Sequence, residues 1–188
     1  VLEETDEELV KEARGGSADA FEALVIRYEA RVRGLCRRIL GSAADAEDAA
    51  VSAFVKAWRS LPRYAPGRSF AAWLLTIAAR EAISLGRSRK VWRPLADAEA
   101  SGLAACPGGA GGSPDPEAVA MAREEAHAVR QALAKLAPEA RAAVVLRYQW
   151  DWSYRAIAEA LRLPSGTVGA LLHRAKRTLR QYLEEGSA

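Results

Sequence analysis

From Asp19 onward, Phe21, Leu24, Val25, Tyr28, Val32, Leu35, Cys36 and Ile39 recur at spacings of three and four. That period belongs to a helix with one apolar face, and Gly41-Ser42 supplies its stop. A second helix is predicted from about Asp45, with Ala49, Phe54, Val55, Trp58 and Leu61 on its inner side. Pro62 and the Pro66-Gly67 pair interrupt it. Ser69 is placed to cap a third helix carrying Phe70, Trp73, Leu74, Ile77 and Ile83 inward. Three long helices can enclose a small core.

The periodicity fades between about Gly86 and Glu117, and the run CPGGAGGSPDP from Cys106 to Pro116 is rich in breakers. Such a stretch has little to bury and loses much backbone freedom on ordering, which predicts a flexible linker over 91–116. Thirty residues at full extension span on the order of 100 Å, so two docking sites far apart are within reach. A second helical unit follows over 117–188. Val119, Ala122, Ala126, Val129 and Leu133 mark its first helix; Pro138 opens the next, with Ala142, Val145, Leu146 and Tyr148 inward. Beyond the Trp150-Asp151-Trp152-Ser153 bend, a short helix with Tyr154, Ile157, Ala158 and Leu161 precedes a break at Arg162-Leu163-Pro164-Ser165. The last helix turns Val168, Leu171, Leu172, Ala175, Leu179 and Leu183 inward. Short helix, tight turn and long helix form the cadence of a helix-turn-helix. The fold class is therefore all-α, with an N-terminal unit over 1–90.

A length of 188 residues suits two small units, and apolar and charged residues occur in globular proportions. Cys36 and Cys106 match neither a disulfide framework nor a metal-binding repeat, which favours a reducing compartment. No apolar run is long enough to span a bilayer, and the acidic stretch Val1 to Glu12 lacks the blocks of a secretion signal. A cytoplasmic protein without membrane insertion is expected. The formal charge is only +3, yet it alternates along the chain. Residues 1–60 carry 9 basic and 12 acidic groups, and 61–93 carry 7 basic groups against Glu81 alone. Segment 94–134 has 2 basic and 6 acidic groups, and 135–188 has 9 and 5. Basic zones attract phosphate backbones, whereas acidic zones are repelled by them and need a different partner.

In the last helix, Ser165 is placed as a cap and Gly166-Thr167 as the first turn, where free amides favour a phosphate. His173, Arg174, Lys176, Arg177 and Arg180 follow as a dense cationic segment. From Gly166 to Tyr182 the helix runs roughly 25 Å, a length that fits a major groove. A solvated charged face is the alternative for these cations. Trp58, Phe70 and Trp73 at helical spacings suit core packing. Tyr64 lies instead in the breaker-rich LPRYAPGRS segment between Arg63 and Arg68, where an aromatic can stack on an exposed base. Arg80, Arg87, Arg89, Lys90 and Arg93 extend this positive zone toward single-stranded or opened DNA. Asp45, Glu47 and Asp48 stand at a helix start; favourable helix-end electrostatics explain them as well as a contact with a basic partner does. His127 and His173 belong to no metal-ligand or nucleophile constellation, so no enzyme, metal or cofactor is expected.

Three ordered segments now resemble one family, the extracytoplasmic-function (ECF) sigma factors, group IV of the sigma-70 family. DAEDAAVSAFVKAWRSLPRY (45–64) resembles the segment of sigma region 2 that binds the beta-prime clamp helices of core RNA polymerase. FAAWLLTIAAREAISLGRSRK (70–90) resembles its promoter-melting and minus-10-reading helix. The span 132–183, which includes RAIAEALRLPSGTVGALLHRAKRTL, resembles sigma region 4, the minus-35 reader that also meets the beta flap. The resemblance implies a sigma factor that directs promoter-specific initiation and strand opening. By position it implies polymerase binding by Asp45, Glu47, Asp48 and Phe54, with Phe54 chiefly structural. Minus-10 DNA falls to Tyr64, Arg68, Phe70, Trp73, Arg80, Arg87 and Arg89. Minus-35 DNA falls to Ser165, Gly166, Thr167, Gly169, Ala170, His173, Arg174 and Arg177. Core polymerase, promoter DNA and an anti-sigma protein are the implied partners.

The chain departs from the family pattern at several of these positions. Arg80 stands where Asn is usual and Ser84 where Asp is usual, while Val51 and Ser52 replace a glutamine and an acidic residue. A Lys-Ser-Arg run after Gly166-Thr167-Val168 is replaced by Gly169-Ala170-Leu171. Losing charged donors there removes base-edge and phosphate contacts, which shifts minus-35 binding toward helix fit and DNA shape. Two other readings stay open at this level: a stand-alone helix-turn-helix regulator and a sigma-like protein-binding decoy.

Overall fold

The computed structural model describes residues 4–65, 67–89 and 127–185. Its N-terminal unit comprises α1 (Asp6–Arg14), α2 (Ala18–Leu40), α3 (Ala43–Ser60), a 3-10 turn (Leu61–Arg63) and α4 (Phe70–Arg89). Residues 127–134 are helical (α5), followed by α6 (Pro138–Gln149), α7 (Tyr154–Leu161) and α8 (Ser165–Glu185). The connector expected over 91–116 lies outside the described residues, as do Lys90, Arg93, Cys106, Val119 and Ala122.

Each helix starts and stops on local chemistry. Thr5 and Glu8 form a reciprocal capping box at α1, which holds the Glu8 carboxyl below its ordinary pKa. Ser17, Ser42 and Ser153 accept backbone N–H groups at the starts of α2, α3 and α7. The Ser69 hydroxyl accepts from the Ala72 N–H at 3.3 Å, as the sequence predicts. Helix α2 ends on Gly41, whose φ of 76° suits glycine and lets its N–H reach the Arg37 carbonyl.

α2, α3 and α4 pack mutually, with α1 laid on α2. α2 buries Leu24, Tyr28, Val32, Leu35, Cys36 and Ile39, which follows the predicted face. α3 differs from expectation. Its buried seam is Ala46, Ala49, Ala50, Ala53 and Ala57, whereas Val55 and Trp58 are exposed. Small residues let α3 approach two neighbours closely, and the larger side chains are left on the opposite side.

In the C-terminal unit, α6 is buried on every face from Ala140 to Leu146. It packs on α7 and α8 of its own unit and also against α2 and α4. A helix enclosed all round loses its amphipathic signature, which is why its sequence shows a weak stripe. Tyr148, expected inward, is 69% exposed because it lies beyond this enclosed stretch. Arg162 adopts a left-handed conformation (φ 55°) to end α7, and Leu163-Pro164 leads directly into α8. One apolar cluster runs through both units.

Candidate nucleic-acid and polymerase interfaces

On α3, the residues facing away from the alanine seam are Val51 (55% exposed), Val55 (44%) and Trp58. They recur at i, i+4 and i+7, so they share one stripe. Trp58 is steadied by Phe21 of α2, with ring centroids 4.9 Å apart. Asp45 and Asp48 lie at the start of the same helix. Glu47 is ion-paired with Arg33 of α2 at 2.8 Å. Phe54 is half-buried and packs against the core. The sequence pattern brought forward the acidic residues and Phe54 and missed the outward placement of Val51 and Val55. An apolar residue predicts burial until the alanines are recognised as the true seam.

The loop before α4 is built around Tyr64. This side chain is 6% exposed and packs edge-on against Phe70 and Trp73, at centroid distances of 6.0 and 5.0 Å. Its hydroxyl donates to the Arg68 carbonyl and ties the loop to itself. Burial is the first cause that pushes its phenol pKa up, with Glu7 and Asp6 adding to it. Phe70 is 4% exposed and also meets Tyr28. Tyr64, expected to stack on an exposed base, and Phe70, expected at minus-10 DNA, are thus packed edge-on against one another in this arrangement. They brace a loop on which Arg63 and Arg68 are exposed, and Trp73 is the half-buried member of the cluster. Gly67 provides the positive-φ turn between the two arginines.

Farther along α4, Arg80 is half-buried. Its Nε donates to the Ala160 carbonyl at 2.6 Å and an Nη to the Glu159 carbonyl at 3.0 Å. Its guanidinium pKa is lowered first by burial and then by the neighbouring Arg162 charge. Arg87 is ion-paired with Glu139 of α6. In this arrangement both side chains, expected at minus-10 DNA, are held by the C-terminal unit. The Arg89 side chain lies outside the described residues. Glu81 is paired with Lys56 at 2.6 Å and joins α4 to α3.

In the helix-turn-helix, α8 buries Val168, Leu172 and Ala175 against the unit. Ala170, His173, Arg174, Lys176, Arg177 and Arg180 are exposed. The Pro164 carbonyl accepts from the Thr167 and Val168 N–H groups at 2.9 and 3.3 Å. Ser165 is thus the first residue inside α8, which corrects its expected place as the cap; proline at 164 shifts the helix start by one position. Gly166 is exposed, while Thr167 and Gly169 are half-buried. A Cβ at Gly166 or Gly169 meets no atom within 4 Å, so neither glycine is required for space inside the protein. Among the described residues no group of three or more His, Cys, Asp or Glu side chains is arranged to hold a metal. Nor is any described helix long and apolar enough to cross a membrane.

This arrangement has counterparts in known proteins. Sigma-70 region 2 matches residues 24–91 and sigma-70 region 4 matches residues 126–179, in that order. The ECF RNA polymerase sigma factor SigW of Bacillus subtilis is 32% identical over 179 residues, which are 94% of this chain and 95% of that protein. RNA polymerase sigma factor CarQ of Myxococcus xanthus is 34% identical over 92% of this chain and 94% of its own. The ECF RNA polymerase sigma-E factor of Escherichia coli K12 is 30% identical, with 93% and 92% covered. Among solved structures, CnrH in complex with the cytosolic domain of CnrY shares the fold at a TM-score of 0.64 and 23% identity, over 97% of this chain and 99% of that one. Two helical sigma-70 regions in this order define a transcription initiation factor. The chain belongs to the ECF sigma factor family, and directs transcription initiation through core RNA polymerase and promoter recognition. It is not itself an enzyme.

Proposed function

We propose a division of labour among three surfaces of this sigma factor. The outward stripe of α3, with Val51, Val55 and Trp58 beside Asp45 and Asp48, docks on the clamp helices of the polymerase beta-prime subunit. The braced loop and α4 take the separated nontemplate strand of the minus-10 element, with Arg63, Arg68, Trp73, Arg80 and Arg87 as the contacting side chains. The exposed side of α8, with His173, Arg174 and Arg177, enters the major groove of the minus-35 element, while the C-terminal unit meets the beta flap. Domain limits of 1–90 and 117–188, joined by a tether over 91–116, belong to the same proposal. So does action in the cytoplasm, where core polymerase and promoter DNA are found together.

The observation that carries this reading is the outward cationic side of α8 opposite its Val168, Leu172 and Ala175 seam. A recognition helix needs a buried side for its own unit and a charged side for the groove. Sparse chemistry at Gly169 and Ala170 leaves few base-edge donors early in the helix, so its duplex affinity leans on phosphate contacts and shape. Tethering two weak sites to one polymerase raises the effective concentration of the second. Solved relatives include the sigma factor RpoE in complex with the anti-sigma factor NepR from Bartonella quintana. An anti-sigma protein of similar function is proposed as a partner of this chain.

Reconstituted transcription separates the roles. With core polymerase and a promoter library, Arg174→Ala is expected to weaken closed-complex binding by at least fivefold while leaving the opening rate of bound complexes within twofold. Trp73→Ala is expected to slow opening at least fivefold with binding little changed. Equal loss of both steps in both variants contradicts the division.

A further inference from the structure

Asp6 is the first residue of α1, and its half-buried carboxylate meets two side chains of α2. One oxygen accepts from Arg27 at 2.6 Å, and the other accepts from the Tyr28 hydroxyl. Arg27 also donates to the Glu4 carbonyl at 2.7 Å, so the start of α1 is fixed to α2. Negative charge in a first helical turn is favourable by itself, which explains an acidic residue there but not the hydroxyl that it holds. Tyr28 is 4% exposed. Arg31 lies over its ring, 5.6 Å from the centroid, within the range of a cation-π contact. The ring also meets Phe70 edge-on, at a centroid distance of 5.5 Å.

Tyr28 is thus held at its hydroxyl and over its face, and it brings a ring to the aromatic cluster from outside residues 64–73. Phe70 and Trp73 stand in the first turn of α4 with centroids 5.6 Å apart, where a helix has its fewest internal hydrogen bonds. The loop before them turns at Gly67 and is tied by the Tyr64 hydroxyl to the Arg68 carbonyl. Rings on such a segment need a fixed surface behind them. Tyr28 supplies it from the middle of the 23-residue α2.

We infer that Tyr28 is a positioning residue for strand opening: anchored by Asp6, it holds Phe70, and through Phe70 the indole of Trp73, in the orientation that receives the nontemplate strand. The inference rests on the reading of Trp73 and the braced loop as the strand-facing surface. Tyr28 itself is buried and has no DNA contact assigned to it. A receiving side chain that is ordered before binding loses less freedom when a base arrives, so capture of the strand is favoured. Burial, and next the Asp6 carboxylate, push the Tyr28 phenol pKa up to about 12. The hydroxyl therefore remains a donor throughout the neutral range, and the anchor persists with it.

The test uses holoenzyme reconstituted from the full chain and core polymerase, on a promoter carrying a fluorescent base analogue in the minus-10 nontemplate strand. Opening is timed at saturating holoenzyme, closed-complex affinity is measured separately, and urea midpoints of the free chain report stability. Tyr28→Phe keeps the ring and removes the anchor; it is expected to slow opening about threefold with closed-complex affinity within twofold. Asp6→Ala is expected to slow opening to the same degree. In the Tyr28→Phe background it should add nothing to opening, although loss of the Arg27 pair still lowers the urea midpoint. Trp73→Ala alone is expected to slow opening at least fivefold, and Tyr28→Phe to slow it no further in that background. Opening at the parent rate in Tyr28→Phe, with Trp73→Ala slow, overturns the positioning role and leaves the strand-facing reading standing. Slowing by Tyr28→Phe that multiplies with that of Trp73→Ala also overturns it, since the two side chains then act separately. Opening at the parent rate in Trp73→Ala overturns the strand-facing reading and the inference with it.

Discussion

Gly169 occupies an interior turn of α8, where a Cβ meets only open space. Glycine in a helix interior costs about 0.5–1 kcal/mol relative to alanine, so Gly169→Ala is expected to stabilise the fold by that amount in urea denaturation. Gly169→Lys adds a cation near the proposed phosphate track and is expected to tighten promoter binding with a steeper salt dependence; unchanged binding contradicts the placement of this turn at DNA. Cys36 tests the interior instead. Its thiol lies 3.8 Å from the Ala78 carbonyl, and burial, helped by the Glu81 charge, pushes its pKa up to about 12 from an ordinary 9.0. The folded state therefore keeps a proton that the unfolded chain releases, and stability falls as pH rises above about 9, by at most about 1.4 kcal/mol per pH unit. Tyr28 adds a similar loss only above its ordinary 10.0, since burial and Asp6 push it up to about 12. Between pH 9 and 10, Cys36→Ala is expected to flatten the pH dependence of the urea midpoint. An equal slope in both proteins contradicts it.

At the scale of the element, α3 shows what periodicity alone misses. Its alanine seam is buried while Val51, Val55 and Trp58 face out, so the core side and the proposed docking side exchange the identities that hydropathy assigns. The two sides are expected to fail differently. Val55→Asp should change stability by less than about 0.5 kcal/mol yet weaken polymerase binding at least tenfold. Ala53→Leu should overpack the seam and destabilise the protein by about 1–3 kcal/mol. Denaturation and a polymerase pull-down distinguish them, and the prediction fails if Val55→Asp unfolds the protein. α2 and α8 were readable from sequence because their large residues fall on the buried stripe. The helix-turn-helix was readable because Ser153, Pro164 and the basic run mark its joints. The burial of Tyr64 was not legible because a tyrosine in a basic loop looks solvent-facing until Phe70 and Trp73, one helix later, close around it. The contacts that Arg80 makes within the protein were not legible for a different reason: its partners, Glu159 and Ala160, are backbone carbonyls nearly eighty residues away, and no side-chain pattern announces them.

At the scale of the whole molecule, charge is distributed so that one protein meets two kinds of polymer. Segment 1–60 has 12 acidic against 9 basic groups and carries the proposed polymerase stripe, whereas 135–188 has 9 basic against 5 acidic and carries α8. The phosphate binding proposed for α8 releases counterions, so it is expected to be the salt-dependent part of promoter binding. The contacts proposed for α3 mix apolar and acidic groups and are expected to respond less. Lys176 and Arg180 are exposed and lie beyond the early turns proposed to face base edges, which suits phosphate contact without sequence choice. Neutralising Lys176→Gln or Arg180→Gln is therefore expected to lower the slope of log affinity against log salt by about 1 for each side chain that meets a phosphate. The loss should be uniform across promoter sequences and should leave affinity for core polymerase within twofold. Filter binding of reconstituted holoenzyme at several salt concentrations measures the slope directly. A slope unchanged in both variants would place the basic side of α8 off the duplex, and a loss confined to some promoters would make these two cations readers of sequence.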